Sequence, residues 1–191
     1  GRLDLLVNNV WGGYEKLPTG LNYDPFWKQP LTHWDGMFRA GLRAHFSASR
    51  LAAPLMLEQK SGLIVNTIAW DRGKYLLHLY YDVAKHSIVR MAYGMALELK
   101  PYGIAALALA PGWIRSERVM EAHALHAFDL SGTESPEYVG RAVVALAADP
   151  DILTKSGGIF TAGGLAAEYG FTDTDGSAPR PFEMPPNMAK D

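Results

Sequence analysis

The sequence contains no cysteine, which excludes disulfides, thiolate metal sites and a cysteine nucleophile together. Charge of one sign is also lacking: 18 Lys and Arg against 20 Asp and Glu leave a net charge of -2, so no basic face is available for nucleic acid or anionic lipid. No apolar run reaches the roughly 18 residues that a membrane-spanning helix requires. No stretch has the layout of a signal peptide, and no Asn-x-Ser/Thr triplet is present. These absences lead us to expect a cytoplasmic protein with no nucleic-acid or membrane partner, acting on a small molecule. What is there, 48% hydrophobic and 20% charged content in 191 residues, is the make-up of one globular domain with a sizeable core.

An initiator methionine and any lead-in are missing too. The chain opens on "GRLDLLVNN" and runs at once into an apolar strand pattern, like a sequence taken up partway through a fold. Three further apolar runs follow, "GLIVNTIA" (62–69), "IAALALAPG" (104–112) and "GGIFTAGG" (157–164), each closed by Asn, Gly or Pro. Near-continuous apolar runs of this length are the pattern of strands covered on both faces. Between them the periodicity predicts helices over 32–58, with "THWD" as a capping start, over 80–100, closed by Pro101 and Gly103, and over 136–148, with Pro136 in the first turn. Strand alternating with helix implies right-handed crossovers and a parallel sheet, an α/β fold. Segments 11–30 and 112–133 escape the pattern, and both follow strand ends, where open α/β sheets bind ligands. From Tyr169 onward the chain reads as an extended arm, which divides it into one domain, 1–168, and an arm, 169–191.

In "LYYDVAKHS" a tyrosine stands four residues before a lysine, so Tyr81 and Lys85 share a helix face. An ammonium beside a phenol stabilises the phenolate and lowers a pKa that is otherwise near ~10, which suits the tyrosine to exchange protons with a carbonyl or alcohol oxygen. Two ordinary residues on one helix face would have the same spacing. His123 and His126 with Glu121 have a spacing that can gather a metal or simply pack. Trp11, Trp70 and Trp113 each follow a strand end and could wall a pocket or be buried. Asp24, Asp35 and Asp71 read as caps or solvated groups.

Taken in order, "LLVNNVW", "GLIVNTIA", "YDVAK" and "LALAPGWIRS" resemble the short-chain dehydrogenase/reductase family over roughly residues 3–165. "NNVW" matches its Asn-Asn-Ala-Gly turn, Tyr81 and Lys85 its Tyr-x-x-x-Lys, and Pro111, Gly112 and Ser116 its Pro-Gly-x-x-x-Thr. "NNVWGG" and "AGLRAHF" point to one branch within it. The resemblance implies a Rossmann-like, doubly wound parallel sheet, truncated at the N-terminus relative to the family. It implies NAD or NADP as cofactor and a carbonyl or secondary alcohol as substrate. Tyr81 would be the general acid/base, and Lys85 would lower its pKa and hold the nicotinamide ribose. Asn8 would lie near the adenosine side and tie the central strands. Pro111, Gly112, Ile114 and Ser116 would line the nicotinamide. Arg115, Arg118, Met120, His123 and His126 would belong to a substrate lid, and the two longest helices to a dimer or tetramer interface.

Three positions depart from the family pattern. The substrate-binding serine expected about thirteen residues before Tyr81 is Ile68 or, with a shorter loop, Ala69, which leaves Thr67 as the nearest hydroxyl. The asparagine that kinks the long helix and anchors a relay water is Gly41. No Gly-x-x-x-Gly-x-Gly turn lies between a strand and a helix. An NAD(P)-dependent oxidoreductase is the expected activity. The alternatives are a non-catalytic binding or assembly protein of the same fold, or an enzyme of this fold with non-redox chemistry.

Overall fold

The structure is a computed structural model that describes residues 1–13 and 24–184. It begins with β1 (Leu5–Asn8), then a long helix in three parts: α1 (Leu31–Gly36), a π segment (Met37–Arg43) and α2 (Ala44–Gln59). β2 (Gly62–Thr67), α3 (Leu79–Leu99), a 3-10 turn (Lys100–Tyr102) and β3 (Ile104–Ala110) form the centre. The rest comprises β4 (Trp113–Ile114), α4 (Glu117–Leu125), β5 (Thr133–Glu134), α5 (Pro136–Ala148), α6 (Ile152–Lys155), β6 (Ile159–Thr161) and α7 (Ala162–Tyr169). The main sheet has the order β1-β2-β3-β6 with every pair parallel. β4 and β5 form a separate two-stranded parallel pair. This is the α/β fold that the apolar runs implied and the Rossmann-like architecture that the family resemblance implied.

Alternation along β2 and β3 distributes their side chains to two cores. Leu63, Val65, Ala105, Leu107 and Leu109 face one way and pack with Tyr138, Leu146, Leu165 and Ala166 from α5 and α7. Ile64, Ile104 and Ala106 face the other way and meet Met56 of α2 with Ala96 and Leu99 of α3. Further along this second face, Ala108 and Ala110 pack with Ile88 and Ala92 of α3. Alanine opposite alanine lets α3 approach the sheet closely, and this fixes where its first turn, carrying Tyr81, sits over the strand ends. No helix among the described residues is long and apolar enough to cross a membrane.

The predicted elements and the observed ones differ at identifiable places. The first helix begins at Leu31 behind Pro30, with no side-chain cap, so "THWD" is not a capping start; Thr32 already lies inside the first turn. The run "GGIFTAGG" is a strand only for Ile159–Thr161, because Thr161 Oγ1 accepts the Gly164 amide at 3.1 Å and starts α7 there. Within 112–133 the chain builds β4 and α4, the latter capped by Ser116. Of segment 11–30, residues 14–23 lie outside the described residues, as do residues 185–191 of the arm.

The described residues after α7 fold back against α5 and the loop after β2. Asp173, buried, accepts from the Ser135 amide at 2.9 Å and from Arg115 Nη2 at 3.2 Å. Pro179 O accepts from the Tyr138 hydroxyl at 3.1 Å, and the Met184 amide donates to Asp71 Oδ2 at 2.8 Å. Asp71, expected to be solvated or a cap, is therefore buried, with Arg72 and Lys74 at 3.5 and 3.7 Å completing its charge balance.

Candidate functional site

The C-terminal ends of β1, β2 and β3 bring three loops together. At the end of β1, Asn8 is buried and its Nδ2 donates to Asn66 Oδ1 and Ser49 Oγ, both at 2.9 Å, tying β1 to β2 and α2. Thr67, at the end of β2, directs its single hydroxyl proton at the same strand end: Asn8 O lies at 3.1 Å and Asn9 Oδ1 at 2.9 Å. It can serve a substrate oxygen only by giving up those bonds.

Tyr81 and Lys85 lie on the first turns of α3, whose start is set by His78: its Nδ1 accepts the Tyr81 amide at 3.4 Å. Tyr81 is half-buried and Lys85 buried. Lys85 Nζ lies 5.7 Å from the Tyr81 ring centroid and 3.8 Å from that of Trp11. Burial strips the ammonium of water and lowers its pKa from 10.5 to about 7. His45 of α2, buried beneath, joins Val10 O through Nε2 at 3.0 Å. Burial foremost, with the nearby Lys85 charge adding to it, lowers the His45 pKa to about 4, against the pull of the Val10 carbonyl. His45 is therefore neutral at pH 7 and its Nε2–H is the donor. Neither His45 nor the Trp11 contact was singled out from sequence; a histidine inside an apolar helix face was the only signal.

The loop after β3 carries Pro111, Gly112, Ile114 and Ser116. Ile114 sits in β4 opposite Glu134, and Ser116 Oγ accepts the Val119 amide at 3.4 Å as the cap of α4. Arg115, expected on a lid, turns to Thr133 O at 2.9 Å and to Asp173, so it anchors the arm. His123 Nδ1 accepts the Phe128 amide at 3.3 Å, while Phe128 stacks on Trp113 with centroids 5.0 Å apart.

Glu134 was not anticipated. It is 1% exposed, and its Oε1 accepts the Gly112 amide at 2.8 Å. A Cβ at residue 112 would come within 2.7 Å of Glu134 Oε2, so glycine is what lets the carboxylate sit there. Burial pushes the Glu134 pKa up to about 7; the Gly112 amide and Arg115 pull against it and Asp173 reinforces it. An acid raised from 4.5 to about 7 is protonated more readily folded than unfolded. Its stabilisation is complete below pH 4.5 and is lost as pH rises to 7. Glu134→Gln, which keeps the acceptor, is expected to match the wild type near pH 4.5 and to exceed it by roughly 2–3 kcal/mol above pH 7 in denaturant unfolding. Parallel pH dependences for the two proteins would contradict this.

A cleft of about 480 Å³ lies beside the loop after β2, walled by Trp70, Asp71, Thr161, Leu165 and Phe182. Tyr81 and Lys85 do not line it, so it is not the place where their chemistry would occur.

Comparison with known proteins identifies the family and the fold. The sequence profile described as short chain dehydrogenase matches residues 1–126. The branch suggested by "NNVWGG" and "AGLRAHF" matches as well. Dehydrogenase/reductase SDR family member 1 of Mus musculus is 36% identical over 187 residues, and its Homo sapiens counterpart 35%, covering 92% of this chain in each case. The chain spans 59% of the length of these relatives. Among solved structures, ElxO with NADP bound superposes with a TM-score of 0.70 at 21% identity, covering 84% of this chain and 66% of that one. A 3-oxoacyl-[acyl-carrier protein] reductase with bound NAD from Brucella melitensis gives 0.65 at 22%, covering 83% and 60%. The superpositions show the fold, and with the profile spanning most of the sequence and relatives at 35–36% identity covering 92% of it, the chain belongs to the short chain dehydrogenase family.

Proposed function

We propose that the protein carrying this chain is an NAD- or NADP-dependent oxidoreductase acting on a carbonyl or secondary alcohol, with Tyr81 as general acid/base and Lys85 as the charge that tunes it. One observation carries the reading: Lys85 is buried one helical turn from Tyr81 with its pKa lowered to about 7. A buried ionisable group with a strongly lowered pKa is a functional candidate. As negative charge develops on the Tyr81 oxygen, a protonated Lys85 on the adjacent turn of the helix stabilises it.

The groups along the strand ends fit the nicotinamide half of such a cofactor. Pro111 and Gly112 give a backbone turn, Ser116 a hydroxyl, Lys85 an ammonium for ribose hydroxyls, and Asn8 joins the strand ends that carry them. The Gly-rich phosphate turn has no counterpart in these 191 residues. When bound, the nicotinamide supplies or accepts hydride. Tyr81 gives the substrate oxygen its proton or takes it away. Ile68 is buried and Ala69 offers no hydroxyl, so the oxygen lacks one donor, a loss that in other enzymes slows turnover by about 10²–10³.

Leu51 and Leu55 on α2 and Leu97 on α3 are exposed, which supports a homodimer or homotetramer joined through these helices. Residues 1–168 would form the catalytic domain and 169–191 its arm. Calorimetric titration of the full-length protein with NAD and with NADP tests the reading. Saturable binding of one of them is expected; no binding of either would favour a binding or assembly role for the same fold.

A further inference from the structure

Trp11 has no part in the reaction as described, yet it touches both members of the reacting pair. The face of its indole receives the Lys85 ammonium at 3.8 Å from the ring centroid, and its ring meets that of Tyr81 edge-on, centroids 5.4 Å apart. The indole also rests against the backbone at Gly41. A Cβ at Gly41 would come within 2.7 Å of Trp11 Cζ3 and 2.8 Å of Cε3, so only glycine leaves the ring room. Gly41 lies in the π segment, where the wider turn departs from the α-helix on either side. Through the chain, Trp11 follows Val10, whose carbonyl is held by His45. Three elements thus fix one indole: β1's loop, the π segment and α3.

A buried ammonium needs a partner in place of lost water, and the electron-rich face of a tryptophan within about 6 Å supplies one. Lys85 Nζ lies closer to Trp11 than to Tyr81, 3.8 against 5.7 Å from the two centroids. We propose that Trp11 is a positioning residue for the pair: seated on Gly41, its indole takes the place of water around the Lys85 ammonium and sets that ammonium's reach toward Tyr81. The consequence for turnover rests on the oxidoreductase reading, whereas the contact itself does not. Among the described residues, the titratable groups facing Lys85 are Tyr81 on its own helix and His45 from α2. With its pKa near 4, His45 stays neutral through the range in which Lys85 titrates.

Two measurements on the full-length protein test this, with Trp11→Leu as the substitute background if Trp11→Ala does not fold. In the first, Gly41→Ala is expected to lower Tm when Trp11 is present, because the new methyl meets the ring. The same change is expected to raise Tm in the Trp11→Ala background, where only alanine's ordinary helix advantage over glycine remains. In the second, Lys85 is titrated by NMR with labelled lysine, its signal assigned by its loss in Lys85→Met. The Lys85 midpoint is expected to rise by about one pH unit or more in Trp11→Ala as water reaches the ammonium, and to stay close to the wild-type value in Trp11→Phe, which retains a ring face. An unmoved midpoint in Trp11→Ala, or a Gly41→Ala effect of the same sign in both backgrounds, overturns the assignment. Neither measurement uses a cofactor, so failure of this inference and failure of the oxidoreductase reading are seen separately.

Discussion

Tyr81→Phe is expected to lower kcat for carbonyl reduction by about 10²- to 10⁴-fold, the range over which a positioned acid/base acts, with little change in Tm. The substitution removes one oxygen and leaves the rest of the residue's surroundings in place. The ring keeps its edge contact with Trp11, and the backbone amide keeps His78 as the cap of α3. A half-buried ring at the start of a helix that loses only a hydroxyl leaves no cavity, so a fall in kcat cannot be assigned to unfolding. The decisive comparison is of steady-state kcat and KM for the two proteins beside their thermal unfolding. Retention of more than a tenth of the wild-type kcat would remove Tyr81 from the chemistry.

Lys85→Met is expected to have a double effect: turnover lost and stability gained. A depression of the lysine pKa from 10.5 to about 7 corresponds to at most ~5 kcal/mol against the charged form. Losing the contact with the Trp11 face offsets about 1–2 kcal/mol of this, which leaves a gain of at most about 3–4 kcal/mol below pH 7 for a methionine of similar volume. Because the folded pKa is depressed, the burden is full below about 7 and fades as pH rises toward 10.5. The stability curves of the two proteins should therefore converge at alkaline pH. Urea unfolding at pH 6.5 and pH 9.5 reads this directly; a less stable variant at the lower pH would mean that Lys85 serves the fold rather than the reaction. Groups that weaken the molecule where they sit are the ones expected to act on something else.

The strands of the central sheet were legible because β2 and β3 are apolar on both faces and admit no other reading. α5 was found to the residue, since Ser135 caps it and Pro136 opens it. α7 was hidden because Ala, Gly and Gly after an apolar run look like the end of a strand, and only the Thr161 hydroxyl announces the turn into helix. α4 is short and has no buried residue, so it leaves no periodic trace. At the site, sequence spacing alone put Tyr81 over Lys85. It could not disclose that Trp11 covers the lysine, that Glu134 is held under Gly112, or that Asp71 is enclosed by the arm. Each of these depends on burial produced by chain segments far apart, which no local pattern records.

The bond from the Met184 amide to Asp71 joins residues 113 positions apart, and this has a bearing on how the chain is made. On the ribosome, the loop after β2 emerges long before the segment that closes over it. Until then Asp71 lacks the backbone amide that closes over its carboxylate. The order of synthesis runs ahead of the order of burial, so this corner of a nascent chain stays open to chaperones and proteases until Met184 has left the tunnel.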